Sequence, residues 1–339
     1  MTAAPRPGGD QGPAGPPVPA VGAPPARRPG PTRDADAESG SDTALARAGA
    51  RLLLGLLWAL HWLPLGWQAA LGRALGRLLY WVGGPRRRVA RRNLELCMPE
   101  LPAPQREALV REHFGWLGRS LLERGLLWYA PPQRLKALIQ VEGEVHFAQQ
   151  HPGPVMWLVP HFLALDVAGA ATQLFQGRWV GSIYQRQSNA VLDAAMRRGR
   201  LRHGGGEVFA RSEKALPLVR AIKRGAVFFN LPDMDFGRRE TAFVDFFGVP
   251  AATLLAPARM AASLKMTVQP VVAQMLPGGQ GYRVRFLPPW TDFPSGDELA
   301  DTRRINAWIE QEVRQLPAQY LWVHRRFKTR PRGEPRLYD

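Results

Sequence analysis

The sequence predicts an α/β domain, a mixed sheet with flanking helices, preceded by a helix that anchors it to a membrane. Three observations carry this reading. Short apolar runs of strand length alternate with helix-length segments from residue 154 onward. An uncharged run of about bilayer length, residues 52–72, stands before them. A chain of 339 residues suffices for one large domain with appendages.

Taken in order, ten of the 32 prolines fall before residue 32, mixed with Gly, Ala and Arg and lacking the residues a core needs, so 1–43 is predicted to be disordered. The first apolar run begins only at residue 52, which excludes a cleaved secretory signal. That run carries Trp58, Trp62 and Trp67, with His61 and Pro64 near its middle. Two arrangements are open for a membrane-anchoring segment over 44–84: a span, or a Pro-bent helix lying in the interface. Arg73, Arg77, Arg86, Arg87, Arg88, Arg91 and Arg92 follow it, so the positive-inside tendency puts the main domain, 85–339, on the cytoplasmic side.

Within that domain, 104–129 reads as largely helical, ended by Pro131 and Pro132. Strands are predicted at 154–159, 178–184, 226–231, 268–275, 282–287 and 320–323. Helices are predicted at 163–174, 190–200, 213–223, 253–264 and 300–316. The run Gly204, Gly205, Gly206 lacks the context of a nucleotide loop.

A formal charge of +17 favours anionic partners: nucleic acid, membrane lipid or an acidic carrier protein. Nucleic acid is disfavoured, since no zinc-finger spacing, basic zipper or aromatic RNA-binding block is present. One cysteine, Cys97, excludes an intramolecular disulfide, and the seven histidines show no zinc-ligand spacing, so neither metal nor cofactor is expected. A membrane-surface adaptor would account for the anchor and charge, but not for the most informative segment, VMWLVPHFLALD. There an apolar strand ends at Pro160, His161 follows, and Asp166 comes five residues later. Strand-to-helix junctions of this kind host active sites in open α/β sheets. Five residues on a regular helix turn through about 500°, so His161 and Asp166 meet only if His161 sits in the turn before the helix. A carboxylate on one ring nitrogen would leave the other basic, ready to take a proton from a hydroxyl. A satisfied buried histidine is the alternative.

The segments 87–101 (RRVARRNLELCMPEL), 113–123 (HFGWLGRSLLE), 160–166 (PHFLALD), 184–193 (YQRQSNAVLD), 231–237 (LPDMDFG) and 320–331 (YLWVHRRFKTRP) occur in this order. Together they resemble the late acyltransferases of lipid A biosynthesis, within the lysophospholipid acyltransferase-like superfamily. The resemblance covers about residue 45 to the end and implies a glycerolipid-acyltransferase-like fold. It implies transfer of an acyl chain from an acyl carrier protein thioester to a hydroxyl of a lipid A precursor, at the inner membrane of a Gram-negative bacterium. An acyltransferase for another lysophospholipid or glycolipid is the alternative. His161 is implied as general base with Asp166 as its partner, where many members have Glu. Attack on a thioester needs a base for the alcohol but no metal, and no Gly-x-Ser-x-Gly elbow points to a covalent serine intermediate.

By the same resemblance, Arg186 and Asn189 are candidates for holding the polar part of a substrate. Asp233 stands where the superfamily often shows glutamate, in place to orient a substrate or a neighbouring base; Asp233 and Asp235 capping the next turn is the other reading. His324, Arg325 and Arg326, in the basic tail, are candidates for contact with acceptor phosphates, anionic inner-membrane lipids or the acidic carrier.

Overall fold

The computed structural model describes residues 43–338, so the tail expected over 1–43 lies, but for its last residue, outside the described residues. Helices α1 (Ala44–Leu60), α2 (Leu65–Val82), α3 (Gly84–Cys97), α4 (Ala103–Leu122), α5 (Arg124–Tyr129) and α6 (Pro132–Leu138) come first. Then follow β1 (Ile139–Gly143), α7 (Phe147–Gln150), β2 (Val155–Leu158), α8 (Leu165–Leu174), β3 (Val180–Tyr184), α9 (Ala190–Leu201) and β4 (Gly206–Ala210). The chain continues through α10 (Leu216–Lys223), β5 (Val227–Asn230), β6 (Thr241–Phe246), β7 (Val249–Leu254), α11 (Ala256–Ser263), β8 (Thr267–Met275), β9 (Tyr282–Phe286) and α12 (Glu298–Gln315).

Seven strands form one sheet in the order β1-β9-β8-β2-β5-β3-β4, parallel throughout except where β8 meets β9. The β6–β7 hairpin is separate. All four residues of β2 and of β5 are buried, as expected for parallel strands covered on both faces. On one face Met156, Leu158 and Phe228 pack with Leu218 and Ile222 of α10 and Ile305 and Ile309 of α12. On the other, Trp157, Val227 and Phe229 pack with Val167, Ala168 and Ala171 of α8.

The uncharged run 52–72 is not one continuous helix. It is divided between α1 and α2 by a turn over 61–64. Pro64 has no N–H to continue a helix and disfavours the helical conformation at Leu63. The turn is then held from outside: Arg134 donates to the carbonyls of His61 (2.5 Å) and Leu63 (2.6 Å). No helix among the described residues is long and apolar enough to cross a membrane, so of the two arrangements left open the span finds no support. Instead α2 packs along α4, where Gly72 and Gly76 lie against Arg119, Phe114 and Gly118. Leu52, Leu53, Leu56, Trp58, Trp62, Trp67, Trp81 and Val82 remain exposed.

Two further expectations change. Residues 320–323 form one isolated bridge, Tyr320 with Phe162, followed by turns rather than a strand. The segment 253–264 begins as the end of β7 and becomes helical only at Ala256.

Candidate active site

Leu158 of β2 lies opposite Asn230 of β5 in parallel register. Each strand then runs one apolar residue and a proline further, Val159-Pro160 and Leu231-Pro232, before a polar residue. Equal lengths beyond a parallel pair bring His161 and Asp233 to the same level above the sheet's C-terminal edge. β2 is also where the strand order reverses: β3 and β4 lie on one side, β8 and β9 on the other. Such a switch point opens a crevice beyond the strand ends.

The Asp233 carboxylate receives the His161 ring through Nδ1 at 2.6 Å and the His161 backbone N–H at 2.9 Å. The Tyr320 hydroxyl donates to it at 3.0 Å. An ionised carboxylate only accepts, so Nδ1 carries the proton and Nε2 is left as the basic nitrogen. Burial alone would raise the carboxyl's pKa; the charge of His161, its two hydrogen bonds and Arg326 outweigh this and hold Asp233 below the usual carboxylate range. The loop after β2 is stitched to the chain around Tyr320: Leu163 N–H donates to Gln319 O at 2.8 Å and Leu321 N–H to His161 O at 3.1 Å. The ring therefore has a fixed backbone, a fixed tautomer and an edge not fully covered.

Asp166 does not contact His161. It sits in the first turn of α8 and accepts from Arg124 of α5 (3.0 Å) and Arg200 of α9 (3.1 Å). Burial would raise its pKa, and the two guanidiniums outweigh that and lower it. Two guanidiniums are stronger partners for this partly buried carboxylate than one imidazole, which explains the departure from the expected pairing. Beside this ion triad lies a cleft lined mainly by apolar groups, including Trp128, Leu165, Ala170, Val180, Phe229 and Leu231. It lies on the α8 face, next to the loop carrying Asp233.

The sequence profile of bacterial lipid A biosynthesis acyltransferases matches residues 40–329. The chain belongs to this family. It is 33% identical over 288 residues to the lipid A biosynthesis lauroyltransferase of Escherichia coli K12, covering 84% of this chain and 93% of that one. Its identity to the palmitoleoyltransferase of the same organism is 32%, over 84% and 92% of the two chains. Its identity to the myristoyltransferase is 31%, over 80% and 82%.

In this acyltransferase the remaining candidates divide: Asp235 and His324 meet each other at the loop beyond β5, whereas Arg186, Asn189, Arg325 and Arg326 stand elsewhere. Arg186 is exposed on the loop after β3. Asn189 caps α9, accepting from Val191 and Leu192 N–H, and its Nδ2 donates to Ala46 O of α1. Asp235 accepts from Gly237 N–H and from the Thr329 backbone and hydroxyl. His324 accepts the Asp235 N–H at 3.1 Å. Arg325 is exposed, but Arg326 is buried, donating to Ala252 O (2.9 Å) and Thr253 Oγ1 (2.7 Å) under the ring of Phe246. Arg326 thus braces the hairpin and cannot meet a docking partner, a correction to the surface role expected for it. The sequence reading assigned no role to Tyr320 or to Arg124. Nor did it assign one to Asn93, whose buried amide donates to the carbonyls of Trp322 and His324 and so ties α3 to the tail. Asn93 lies in the RRVARRNLELC segment and Tyr320 opens YLWVHRRFKTRP, so the blocks themselves were the available signal.

Proposed function

We propose that this acyltransferase moves a fatty acyl chain from the thioester of an acyl carrier protein to a hydroxyl of a lipid A precursor, with His161 as general base. The observation that carries the reading is the Asp233–His161 pair at the switch point, which fixes the tautomer and leaves Nε2 without a hydrogen bond among the described residues. An alcohol attacks a thioester slowly until a positioned base takes its proton. Here Nε2 takes it, Asp233 stabilises the imidazolium, and that imidazolium returns the proton to the departing thiolate. The cleft is suited to the acyl chain, since burying methylenes is favoured by ~0.8 kcal/mol each. The relatives named for lauroyl, palmitoleoyl and myristoyl transfer support the acyl donor class.

The site of action is the cytoplasmic face of the inner membrane. The exposed Trp and Leu side chains of α1 and α2 would enter the interface, with Arg73, Arg77, Arg86 and Arg88 facing anionic lipids. Arg325 is retained as a contact for an acceptor phosphate or the acidic carrier.

The test is transfer of radiolabelled acyl chains from acyl carrier protein to a purified lipid A precursor. His161→Ala should lower kcat by ~100- to 10,000-fold while vesicle binding is unchanged. Near-normal turnover by that variant would remove the mechanism.

A further inference from the structure

We propose that the Nδ1–H of His324 donates a hydrogen bond to the oxyanion that forms when the acceptor hydroxyl adds to the acyl thioester. This rests on the acyl transfer assigned to His161. The loop after β5 holds two imidazoles through two residues of opposite hydrogen-bonding sense. Asp233 offers a carboxylate to His161 Nδ1, whereas Asp235 offers its backbone N–H to His324 Nε2 at 3.1 Å. A backbone N–H can only donate, so Nε2 of His324 is an acceptor and the neutral ring carries its proton on Nδ1. One ring therefore presents a base and the other a donor. Among the described residues Nδ1 of His324 engages no hydrogen-bond partner, and it is not a sealed polar atom of the interior.

The donor is also held in place. Asn93 Nδ2 donates to the His324 carbonyl at 2.7 Å, His324 N–H donates to Leu321 O at 3.1 Å, and Leu321 N–H donates to His161 O at 3.1 Å. The Asp235 side chain is anchored by Thr329 and Gly237. Burial, together with the charges of His161 and Arg326, lowers the His324 pKa to about 4, so the ring stays neutral under physiological conditions and keeps this tautomer. A fixed neutral donor meets the requirement for stabilising charge that appears only in the transition state.

The step balances without another reactant. The hydroxyl oxygen bonds to the thioester carbon, its proton passes to His161 Nε2, and the carbonyl electron pair moves onto oxygen, where His324 donates without giving up its proton. Collapse restores the carbonyl, breaks the C–S bond and sends the His161 proton to the thiolate.

The experiment compares wild type, His324→Ala and His324→Gln in two measurements. His324→Ala should lower kcat by ~100- to 1,000-fold with KM changed less than about threefold. His324→Gln, whose amide can both accept from Asp235 and donate, should recover part of it. In the second, a tetrahedral alkylphosphonate analogue of the acyl donor should bind His324→Ala more weakly by roughly the same factor, while a thioether analogue of the ground state binds equally well. Unchanged kcat, or equal loss of affinity for both analogues, would overturn the inference and leave His324 as a brace for the loop. If His161→Ala is inactive while His324→Ala keeps its phosphonate affinity, only this inference fails; an active His161→Ala removes the underlying reading itself.

Discussion

Asp233 is buried and Asp166 partly buried near the loop that follows β2, and each is kept ionised by different company. Asp233 faces His161 and Tyr320, whereas Asp166 faces Arg124 and Arg200. Asp233→Asn should therefore lower kcat by ~100-fold or more and distort the pH–rate profile, because an amide cannot fix the Nδ1–H tautomer or stabilise the imidazolium. Asp166→Asn should instead leave two partly buried arginines uncompensated, lowering thermal stability and loosening α5, α8 and α9 around the cleft, with the profile's shape preserved. The reverse pattern in a pH–rate series on the two variants would return Asp166 to the role expected from His-x4-Asp spacing. The sequence made His161 legible because a proline-ended apolar strand is a local signal. Its true partner is 72 residues away, and the equal Val-Pro-His and Leu-Pro-Asp extensions become meaningful only once β2 and β5 are known to be adjacent and parallel.

Among the elements, the buried strands β2, β3, β5, β8 and β9 were readable, being short apolar runs between turn residues. β1 and β4 were not, since both lie at sheet edges and carry exposed polar positions such as Glu142 and Glu207. The division of 52–72 was only half legible: Pro64 marks the break, but nothing local says that α2 turns back onto α4. That contact depends on glycines. A Cβ on Gly72 would lie 2.6 Å from the Arg119 Cα, and one on Gly76 would overlap the Phe114 carbonyl. Gly76→Ala should destabilise the fold by about 1–3 kcal/mol although alanine is the better helix former, because overpacking outweighs the propensity gain of roughly 1 kcal/mol. Equilibrium urea unfolding reads the sign, and a stabilised variant would show that the helices separate freely. The outward faces of α1 and α2 make a second element-scale expectation. Replacing Trp58, Trp62 and Trp67 by Ser should release the protein from anionic vesicles in a flotation assay with its unfolding midpoint little changed, since all three are exposed. Retained vesicle binding would move the membrane contact elsewhere.

For the molecule as a whole, the net charge of +17 was plain from composition, but composition does not tell which histidines resist charge. His113 is fully buried between α4 and the turn before Tyr320, with Nδ1 on Ala318 O at 3.1 Å and Nε2 without a partner among the described residues. Burial lowers its pKa from 6.5 to about 4. The unfolded chain therefore binds more protons than the folded one between these values, so this residue's contribution is fully present above about pH 6.5 and is lost as pH falls through about 4. His324 adds in the same sense. Asp166 and Asp233, with depressed carboxyl pKa values, act at lower pH, their contributions being lost as pH falls through the folded values. Moving from pH 7 to pH 5 should cost about 2 kcal/mol through His113 alone. His113→Gln should start less stable, because it disturbs a packed site, yet show a shallower fall in urea midpoint across that interval. Equal slopes for the two proteins would mean that His113 is hydrated and titrates normally in the folded state, so the close seat of α4 against the Ala318 turn would have to open in solution.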